Sequence, residues 1–241
     1  MRQPKMILFD YAHTLAWEPD ADFQRGEQAA FQHVKDNPRS VTPEEAARLG
    51  TELFFAARDF RHSGWEPHEH QQLRLKYALL GVTFDRPLAD IEDILWTAAC
   101  SGEPMPGVAD ILAELRKRGI RTGVISNLCW SGEALTRRLH HLLPDHTFEF
   151  VITSSDYGVR KPNPLIFRAA LSQANLPAED VWFCGDQIAA DVHGAQSAEL
   201  FPVWYEDKII PNAFAKKNAG LTVTGEHLHI HHWRELIDAL N

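Results

Sequence analysis

The sequence predicts a doubly wound α/β fold whose mostly parallel sheet is interrupted by an inserted α-helical segment. The apolar run from Met6 to Phe9 is too short for a helix and ends abruptly in Asp10, which is typical of a buried strand. Helical periodicity then fills residues 16–101, and strand and helix patterns alternate beyond that point. We therefore expect a Rossmann-like core formed by residues 1–15 and 102–241, with a helical cap at residues 16–101.

The predicted cap contains four helices, at about residues 20–35, 42–60, 67–80 and 87–100. The second has the clearest start signal, because Thr42 is a capping residue and Pro43 suits the first helical position. Pro38 ends the first helix and Gly81 ends the third. We expect no strand among these helices.

The rest of the core shows five further strand patterns and four helix patterns. The predicted strands cover residues 121–125, 148–153, 181–184, 200–204 and 221–223. The predicted helices cover residues 108–118, 133–143, 164–174 and 233–240. Strands that alternate with helices in this way favour a parallel sheet with helices on both faces.

Composition and charge limit the possible functions. The 241 residues are 44% hydrophobic and 24% charged, which is ordinary for a soluble globular protein. The chain has 24 basic and 33 acidic residues, and this net charge of −9 argues against a nucleic-acid partner. Three widely spaced cysteines fit reduced thiols. No apolar run approaches the length of a membrane span and no secretory leader is expected, so we predict a cytoplasmic protein. The sequence does not indicate an oligomeric state.

Chemically functional residues mark the strand ends of the predicted core. Asp10, Ser126 and Asp186 stand at three separate strand ends, Lys161 lies in a loop, and Asp191 follows shortly after Asp186. The carboxyl ends of parallel strands share one sheet edge, so these residues should converge. Carboxylate oxygens suit Mg²⁺, lysine and serine suit phosphate oxygens, and an Asp nucleophile can form an aspartyl-phosphate. The set predicts Mg²⁺-dependent chemistry on a phosphorylated compound.

The same residues stand in four motifs that occur in order along the chain. They are Asp10-Tyr11-Ala12-His13-Thr14, Gly123-Val124-Ile125-Ser126-Asn127, Lys161-Pro162-Asn163-Pro164-Leu165-Ile166-Phe167, and Gly185-Asp186 followed by Asp191 and Gly194-Ala195. By these motifs the chain resembles the haloacid dehalogenase superfamily, most of whose members are phosphatases. The resemblance implies hydrolysis of a small phosphorylated metabolite. A cap directly after the first strand matches one subgroup of that superfamily.

The resemblance implies a metal site. Asp10 is expected to be both the nucleophile and a Mg²⁺ ligand. The main-chain carbonyl of Ala12 is expected to be a second ligand, a contact that does not depend on the side chain. Asp186 is expected to complete the protein ligands, with Asp191 binding directly or through water.

The resemblance also implies a phosphate site. Ser126 and Lys161 are expected to bind the phosphoryl group, and Lys161 is expected to restrain Asp10 as well. Asn127 is expected to assist with its main-chain or amide N–H group.

The first motif departs from the superfamily pattern at two positions. The second Asp of the D-x-D pattern, which serves as general acid and base in these phosphatases, is replaced by Ala12. General acid–base assistance is worth about 10²–10⁴-fold in rate. The usual glycine is replaced by His13, which titrates near neutrality and is a candidate catalytic residue.

These departures leave four hypotheses. We favour a phosphohydrolase in which His13, a cap residue or an easily released leaving group compensates for Ala12. The second hypothesis is a phosphate- or partner-binding protein with little or no catalysis. The third is C–P bond cleavage like that of phosphonoacetaldehyde hydrolase, which needs a cap lysine such as Lys35 or Lys76. A dehalogenase comes last, because it would not need the intact Asp186 and Asp191.

Histidines near the carboxyl end offer a weaker signal for a second metal site. On a strand, His227, His229 and His231 would share one face. Their spacing matches no fixed ligand pattern and no cysteine is nearby, so we favour a solvated edge.

Overall fold

A computed structural model describes residues 2–19, 21–210 and 215–241. Positions 1, 20 and 211–214, which the sequence analysis placed in the core and at the start of the first cap helix, lie outside these described residues. The strands are β1 (Met6–Phe9), β2 (Ala16–Trp17), β3 (Val34–Asp36), β4 (Thr83–Phe84), β5 (Glu103–Pro104), β6 (Arg121–Ser126), β7 (Phe148–Thr153), β8 (Val181–Gly185), β9 (Phe201–Tyr205) and β10 (Leu228–Ile230).

The helices alternate with the strands in the second half of the chain. They are α1 (Phe23–Ala30), α2 (Pro43–Ala56), α3 (Arg58–His62), α4 (Glu69–Leu80), α5 (Leu88–Ala99), α6 (Val108–Lys117), α7 (Gly132–Leu142), α8 (Ser154–Tyr157), α9 (Pro164–Ala174), α10 (His193–Ser197) and α11 (Trp233–Ala239). Short 3₁₀ turns occur at Phe31–His33, Ala178–Asp180 and Ala215–Asn218, and one π-helical turn at Ile188–Val192.

Within the described residues, six parallel strands form the main sheet in the order β10-β9-β8-β1-β6-β7. β1 lies in the interior of the sheet, between β6 and β8. The carboxyl ends of these three strands therefore stand side by side, which brings Asp10, Ser126 and Asp186 to one sheet edge. The predicted doubly wound α/β core is confirmed.

Both faces of the sheet are buried. Met6 and Leu8 pack in one apolar cluster, and Ile7 and Phe9, which point to the opposite face, pack in another. The cluster around Ile7 takes apolar residues from α6, α7 and α11, and the cluster around Met6 takes them from α9 and α10. Burial on both faces explains why β1 is an uninterrupted apolar run rather than an alternating one.

Helices α1 to α5 occupy the segment for which the sequence predicts helices, but the expectation that it contains no strand was wrong. β3 and β4 pair antiparallel inside it, and β2 and β5 pair where the chain leaves and re-enters the core. The first predicted helix ends earlier than expected, because the chain passes through the turn Phe31–His33 into β3. Strands of two or three residues are too short to show a sequence period.

Helix ends inside the insertion follow their local chemistry. Thr42 accepts a hydrogen bond from the Glu45 N–H group, and the Glu45 carboxylate accepts one from the Thr42 N–H group. This capping box fixes the start of α2 as the sequence predicted. Gly81 ends α4 in a left-handed conformation with φ of 72°.

The predicted strand at residues 221–223 was wrong. Strand β10 lies further along the chain, at Leu228–Ile230, and forms the sheet edge beside β9. The Thr222 and Thr224 carbonyl groups instead form hydrogen bonds with His193 and Gln196, both on α10. None of the helices in the described part of the chain is long and apolar enough to cross a membrane.

Candidate active site

Three buried carboxylates meet at the carboxyl edge of the sheet. Asp10 follows β1, Asp186 follows β8, and Asp191 lies in the π-helical turn Ile188–Val192. Their carboxylate oxygens lie within 4.8 Å of one another, and each residue is at most 3% exposed. Carboxylates that lie this close together and are shielded from water repel one another strongly when ionised. The cluster therefore requires cations to offset its negative charge.

Lys161 supplies one of these cations. Its Nζ atom lies 2.7 Å from Asp10 Oδ1 and 2.7 Å from Asp191 Oδ1, and it donates to the Ile125 carbonyl oxygen at 2.9 Å. These three partners match the three protons of an ammonium group. Burial alone would lower the pKa of Lys161, but the carboxylates of Asp10 and Asp191 raise it above its ordinary value. Lys161 is therefore held as a cation that restrains the Asp10 carboxylate.

Asp191 is positioned by the absence of a side chain at Gly185. A Cβ atom at Gly185 would lie 2.4 Å from Asp191 Cγ, closer than any real contact allows. The second Asp191 oxygen accepts a hydrogen bond from the Gln187 N–H group at 2.8 Å. Burial and the nearby Asp10 charge raise the pKa of Asp191 to about 6, although Lys161 opposes this shift. The absence of a side chain at Gly185 thus allows the Asp191 carboxyl group to pack directly against the backbone of the Gly-Asp motif.

Asp186 is fixed through its main chain. Its carbonyl oxygen accepts hydrogen bonds from the Asn218 amide at 2.9 Å and from the Trp204 indole N–H at 3.3 Å. Asn218 also accepts a hydrogen bond from the Ile188 N–H group through its side-chain oxygen, at 2.8 Å. The segment Ala215–Asn218 therefore supports the acidic cluster, a role that no sequence motif indicates.

Ala12 and His13 form the turn that follows Asp10. Ala12 bridges to Ala16, and the His13 N–H group donates to the Ala16 carbonyl oxygen at 2.7 Å. His13 has a φ of 55°, a conformation that favours glycine. Burial lowers the pKa of His13, while the charges of Asp10 and Asp207 act in the opposite direction. Both residues line the cavity described below.

Ser126 and Asn127 lie at the end of β6. Ser126 is buried and lines the cavity, as expected for a phosphate-binding hydroxyl. The Asn127 side chain accepts from the Lys161 N–H group at 2.8 Å and donates to the Lys161 carbonyl oxygen at 2.9 Å. Asn127 therefore fixes the backbone of Lys161, and its assistance to phosphate remains a prediction.

A cavity of about 1050 Å³ lies above the acidic cluster, between the core and the helical insertion. The core contributes the motif residues, and the insertion contributes side chains of α1, α2, α3 and α4. Phe54 and Phe55 bring apolar surface to its wall, and Arg58 and Arg61 bring positive charge. A space of this size accommodates a small metabolite.

Two further basic residues line the core side of the cavity. Arg160 directly precedes Lys161, and Lys217 lies on the segment Ala215–Asn218. Burial and the neighbouring Arg61 lower the pKa of Arg160 to about 10, so it stays charged at neutral pH. Arg160 also contacts the buried carboxylate of Glu66. No motif includes these two residues, so they could not be predicted from the sequence.

Contacts from the insertion hold it against the core. The Glu92 carboxylate, on α5, accepts hydrogen bonds from the Ser131 N–H group at 2.8 Å and hydroxyl group at 2.6 Å. His68, at the start of α4, lies 3.2 Å from the Asp156 carboxylate, on α8. That hydrogen bond raises the pKa of His68, although burial opposes the shift. Polar contacts from α4 and α5 therefore hold the insertion against the core.

The two candidate cap lysines have different surroundings. Lys35 lies on β3 and is exposed. Lys76 is 4% exposed, contacts the Glu27 carboxylate, and lines the cavity. Glu27 also accepts a hydrogen bond from the Tyr77 hydroxyl at 2.9 Å. Of the two, Lys76 is the one that faces the site.

Known proteins are similar to this chain in sequence and in structure. The family model described as a hydrolase, haloacid dehalogenase-like hydrolase, matches residues 5–199. Glyceraldehyde 3-phosphate phosphatase of Pyrococcus abyssi is 34% identical over 104 residues, which cover 42% of this chain and 42% of that protein. Ribulose-1,5-bisphosphate 5-phosphatase of Halopiger xanaduensis is 26% identical over 207 residues, covering 83% and 84% of the two chains. The crystal structure of a 2-haloacid dehalogenase from Pseudomonas syringae superposes with a TM-score of 0.62 at 22% identity, covering 99% and 98%.

Proposed function

Because this chain belongs to the haloacid dehalogenase-like hydrolase family, we propose that it is a Mg²⁺-dependent phosphohydrolase of a small phosphorylated metabolite. The observation that carries the proposal is the buried cluster of Asp10, Asp186 and Asp191, in which Lys161 bridges Asp10 and Asp191. Curated relatives named as phosphatases of phosphorylated sugars support the substrate class.

The donor set fits Mg²⁺. Three carboxylates share a dry site in which Lys161 contributes one positive charge, so a divalent cation would offset the remaining negative charge. The ion would be held by Asp10, Asp186 and Asp191, directly or through water, together with the main-chain carbonyl of Ala12. When bound, Mg²⁺ polarises the phosphoryl oxygens and reduces their repulsion with the nucleophile.

Asp10 is the proposed nucleophile. Its carboxylate attacks phosphorus, an O–P bond forms, and the bond from phosphorus to the leaving-group oxygen breaks. Lys161 restrains the carboxylate through Oδ1, and Ser126 and Lys161 receive the phosphoryl oxygens. In the second step water attacks phosphorus, the bond to Asp10 breaks, and inorganic phosphate leaves with Asp10 regenerated.

The leaving group determines how much the loss at Ala12 matters. An alkoxide needs a proton as it departs, and Ala12 has none to give. A carboxylate or phenolate departs without that help, so acyl and aryl phosphates avoid a penalty of about 10²–10⁴-fold. His13 directly follows Ala12, lines the cavity, and is the proposed substitute donor for alkyl phosphates.

The cavity wall favours an anionic substrate. Arg58, Arg61, Arg160 and Lys217 all line it. We propose that these cations attract a phosphorylated metabolite despite the net charge of −9 for the whole chain.

A panel of acyl, aryl and alkyl phosphates, assayed for phosphate release with Mg²⁺, tests the proposal. We expect turnover to be fastest on acyl and aryl phosphates and to disappear in Asp10→Asn. Asp110→Asn, a change at an exposed acid on α6, is the matched control and should keep full activity. Absence of turnover on every compound, in the wild type as in Asp10→Asn, would favour the second hypothesis, a phosphate-binding protein without catalysis.

C–P bond cleavage is a second candidate, favoured by the position of Lys76 on the cavity wall. Its primary amine would have to form a Schiff base with an aldehyde substrate. Borohydride reduction in the presence of phosphonoacetaldehyde should then trap an adduct on Lys76. Release of acetaldehyde together with that adduct would replace the phosphohydrolase proposal, and the absence of both would eliminate this candidate.

A further inference from the structure

We propose that Glu206, His229 and His231 form a second metal site, which binds a divalent transition cation such as Zn²⁺. These three residues, called the edge cluster below, lie at the β9–β10 edge of the sheet. One ligand atom from each lies within 4.8 Å of the others. Their two imidazoles and one carboxylate differ in chemistry from the all-carboxylate site at Asp10.

Strand register builds the edge cluster. β10 pairs in parallel with β9, with His229 opposite Trp204. Residues two apart on a strand share a face, so His231 follows His229 on the same side. Glu206, two residues after Trp204, comes to the same side of the neighbouring strand. The register between the two strands therefore places the Glu206 carboxylate beside His229 and His231, although it is distant from them in sequence.

The separations suit a small tetrahedral ion. Glu206 Oε2 lies 3.1 Å from His229 Nε2 and 3.7 Å from His231 Nδ1. Ligand atoms at about 2.0–2.2 Å from a tetrahedral Zn²⁺ ion are about 3.4 Å apart, so only small side-chain movements are needed. Two histidines and a glutamate are a known ligand set for zinc, with a fourth position open to water. Magnesium prefers oxygen ligands and should not compete well here.

His229 is held in place before any metal binds. Its ring stacks on the Trp204 indole with centroids 3.8 Å apart and planes 10° from parallel. The Trp204 N–H group in turn donates to the Asp186 carbonyl oxygen. A ligand whose ring is already oriented loses less freedom on binding.

Three existing contacts must be exchanged when the cation binds. The first is the hydrogen bond between His229 Nε2 and Glu206 Oε2, at 3.1 Å. Lys208 Nζ lies 2.7 Å from Glu206 Oε2, and its side chain is 57% exposed, so it can move into solvent. His231 Nδ1 lies 3.0 Å from the Glu206 carbonyl oxygen. The metal would take the place of the Lys208 ammonium and of the proton between His231 and that carbonyl.

The neighbouring histidines provide matched controls. His227 Nδ1 contacts the Gly225 carbonyl oxygen, and His232 Nε2 lies 3.2 Å from Glu235. Both lie in the same histidine-rich segment and have the same chemistry. Neither belongs to the edge cluster.

Calorimetric titration of Zn²⁺ into the whole chain, with Mg²⁺ in excess, tests the proposal. The wild type should bind one equivalent of Zn²⁺ more than His231→Ala does. In His231→Ala the Zn²⁺ affinity of the edge cluster should be weakened more than 10-fold, because loss of even an outer partner of a metal site costs about 10–100-fold. His227→Ala and His232→Ala should bind as the wild type does. Lys208→Gln should bind Zn²⁺ at least as tightly, because a competing cation is removed.

Thermal melting separates loss of binding from loss of folding. Without Zn²⁺, His231→Ala should melt close to the wild type, because its side chain is 41% exposed. Added Zn²⁺ should raise the Tm of the wild type and of His227→Ala, but raise that of His231→Ala less. Equal Zn²⁺ stoichiometry and affinity in the wild type, His229→Gln and His231→Ala would overturn the proposal, as would loss of binding in His227→Ala.

Discussion

The substitution Gly185→Ala should disable the acidic cluster by adding a single methyl group. The new Cβ atom would lie 2.4 Å from Asp191 Cγ and 2.5 Å from its Oδ2, whereas ordinary contact begins at 3.4 Å. Asp191 must therefore move by about 1 Å, since the interior around it is close-packed. The perturbation adds no charge and removes no polar group.

That movement breaks two strong contacts. Asp191 is 2.7 Å from the Lys161 ammonium and 2.8 Å from the Gln187 N–H group, and 1 Å more would exceed hydrogen-bond range. Contacts with a charged partner contribute about 1.5–3 kcal/mol each, so the free energy of unfolding should fall by about 3–6 kcal/mol. For a chain of this length the Tm should fall by about 6–24 °C.

Calorimetry with Mg²⁺ and thermal melting together provide the assay. Gly185→Ala should bind Mg²⁺ more than about 10-fold more weakly than the wild type. The matched control is Gly50→Ala, whose Cβ atom would meet Lys76 at an ordinary 3.5 Å inside helix α2. It should keep Mg²⁺ binding and gain up to about 1 kcal/mol of stability. Wild-type Mg²⁺ affinity in Gly185→Ala would refute the assignment of Asp191 to the metal site.

Three further variants test the proton donor and the contact between core and insertion. Ala12→Asp should raise kcat on alkyl phosphates by about 10²-fold or more, and an unchanged rate would show that the missing acid is not the limiting feature. His13→Ala should lower activity on alkyl phosphates but not on acyl phosphates, and equal losses on both would exclude proton donation by His13. Because the Asp156 hydrogen bond raises the pKa of His68, its contribution is complete below the unfolded pKa of about 6.5 and is lost as pH rises through the higher folded value. His68→Gln should therefore lower stability by about 0.5–1 kcal/mol at pH 5.5 and by less at pH 9. Urea unfolding at both pH values checks this, and an equal loss at both would contradict it.

The acidic cluster could be predicted from sequence because two of its members, Asp10 and Asp186, directly follow strand ends. Asp10 and Asp186 follow short apolar runs that predict strands. In a parallel sheet the carboxyl ends of the strands lie at one shared edge, so the two residues are expected there. The structure adds how Lys161 serves the cluster, through contacts with Asp10 and Asp191 together. A motif gives the identity of these residues, and the fold gives their contacts.

The cavity wall could not be predicted in the same way. Arg61, Arg160 and Lys217 come from separate segments and converge only because the insertion packs over the core. A basic residue in a surface segment is common, and nothing in its own sequence marks it as facing a site. The basic residues that line the cavity could therefore be identified only from the packed structure.

The edge cluster shows both the power and the limit of strand periodicity. Alternation predicted that His227, His229 and His231 would share a face on a strand. Strand β10 covers only Leu228–Ile230, and of the three histidines His229 and His231 belong to the edge cluster. Their partner Glu206 depends on the register between β9 and β10, which no local pattern encodes. The wrong prediction of a strand at residues 221–223 also reflects contacts that no local pattern encodes. The carbonyl groups of this segment form hydrogen bonds with side chains of α10 rather than with another strand.

Phosphorylation of Asp10 during turnover is the event on which the proposed mechanism depends most directly. The protein should be mixed with acetyl phosphate and Mg²⁺, quenched in acid, and analysed by peptide mass spectrometry, with Asp10→Asn as the control. We expect a phosphoryl group on the peptide that contains Asp10, its loss during a chase, and no label in Asp10→Asn. Phosphate release that continues with no label on Asp10, or with the label on another residue, would contradict the role of Asp10 as nucleophile.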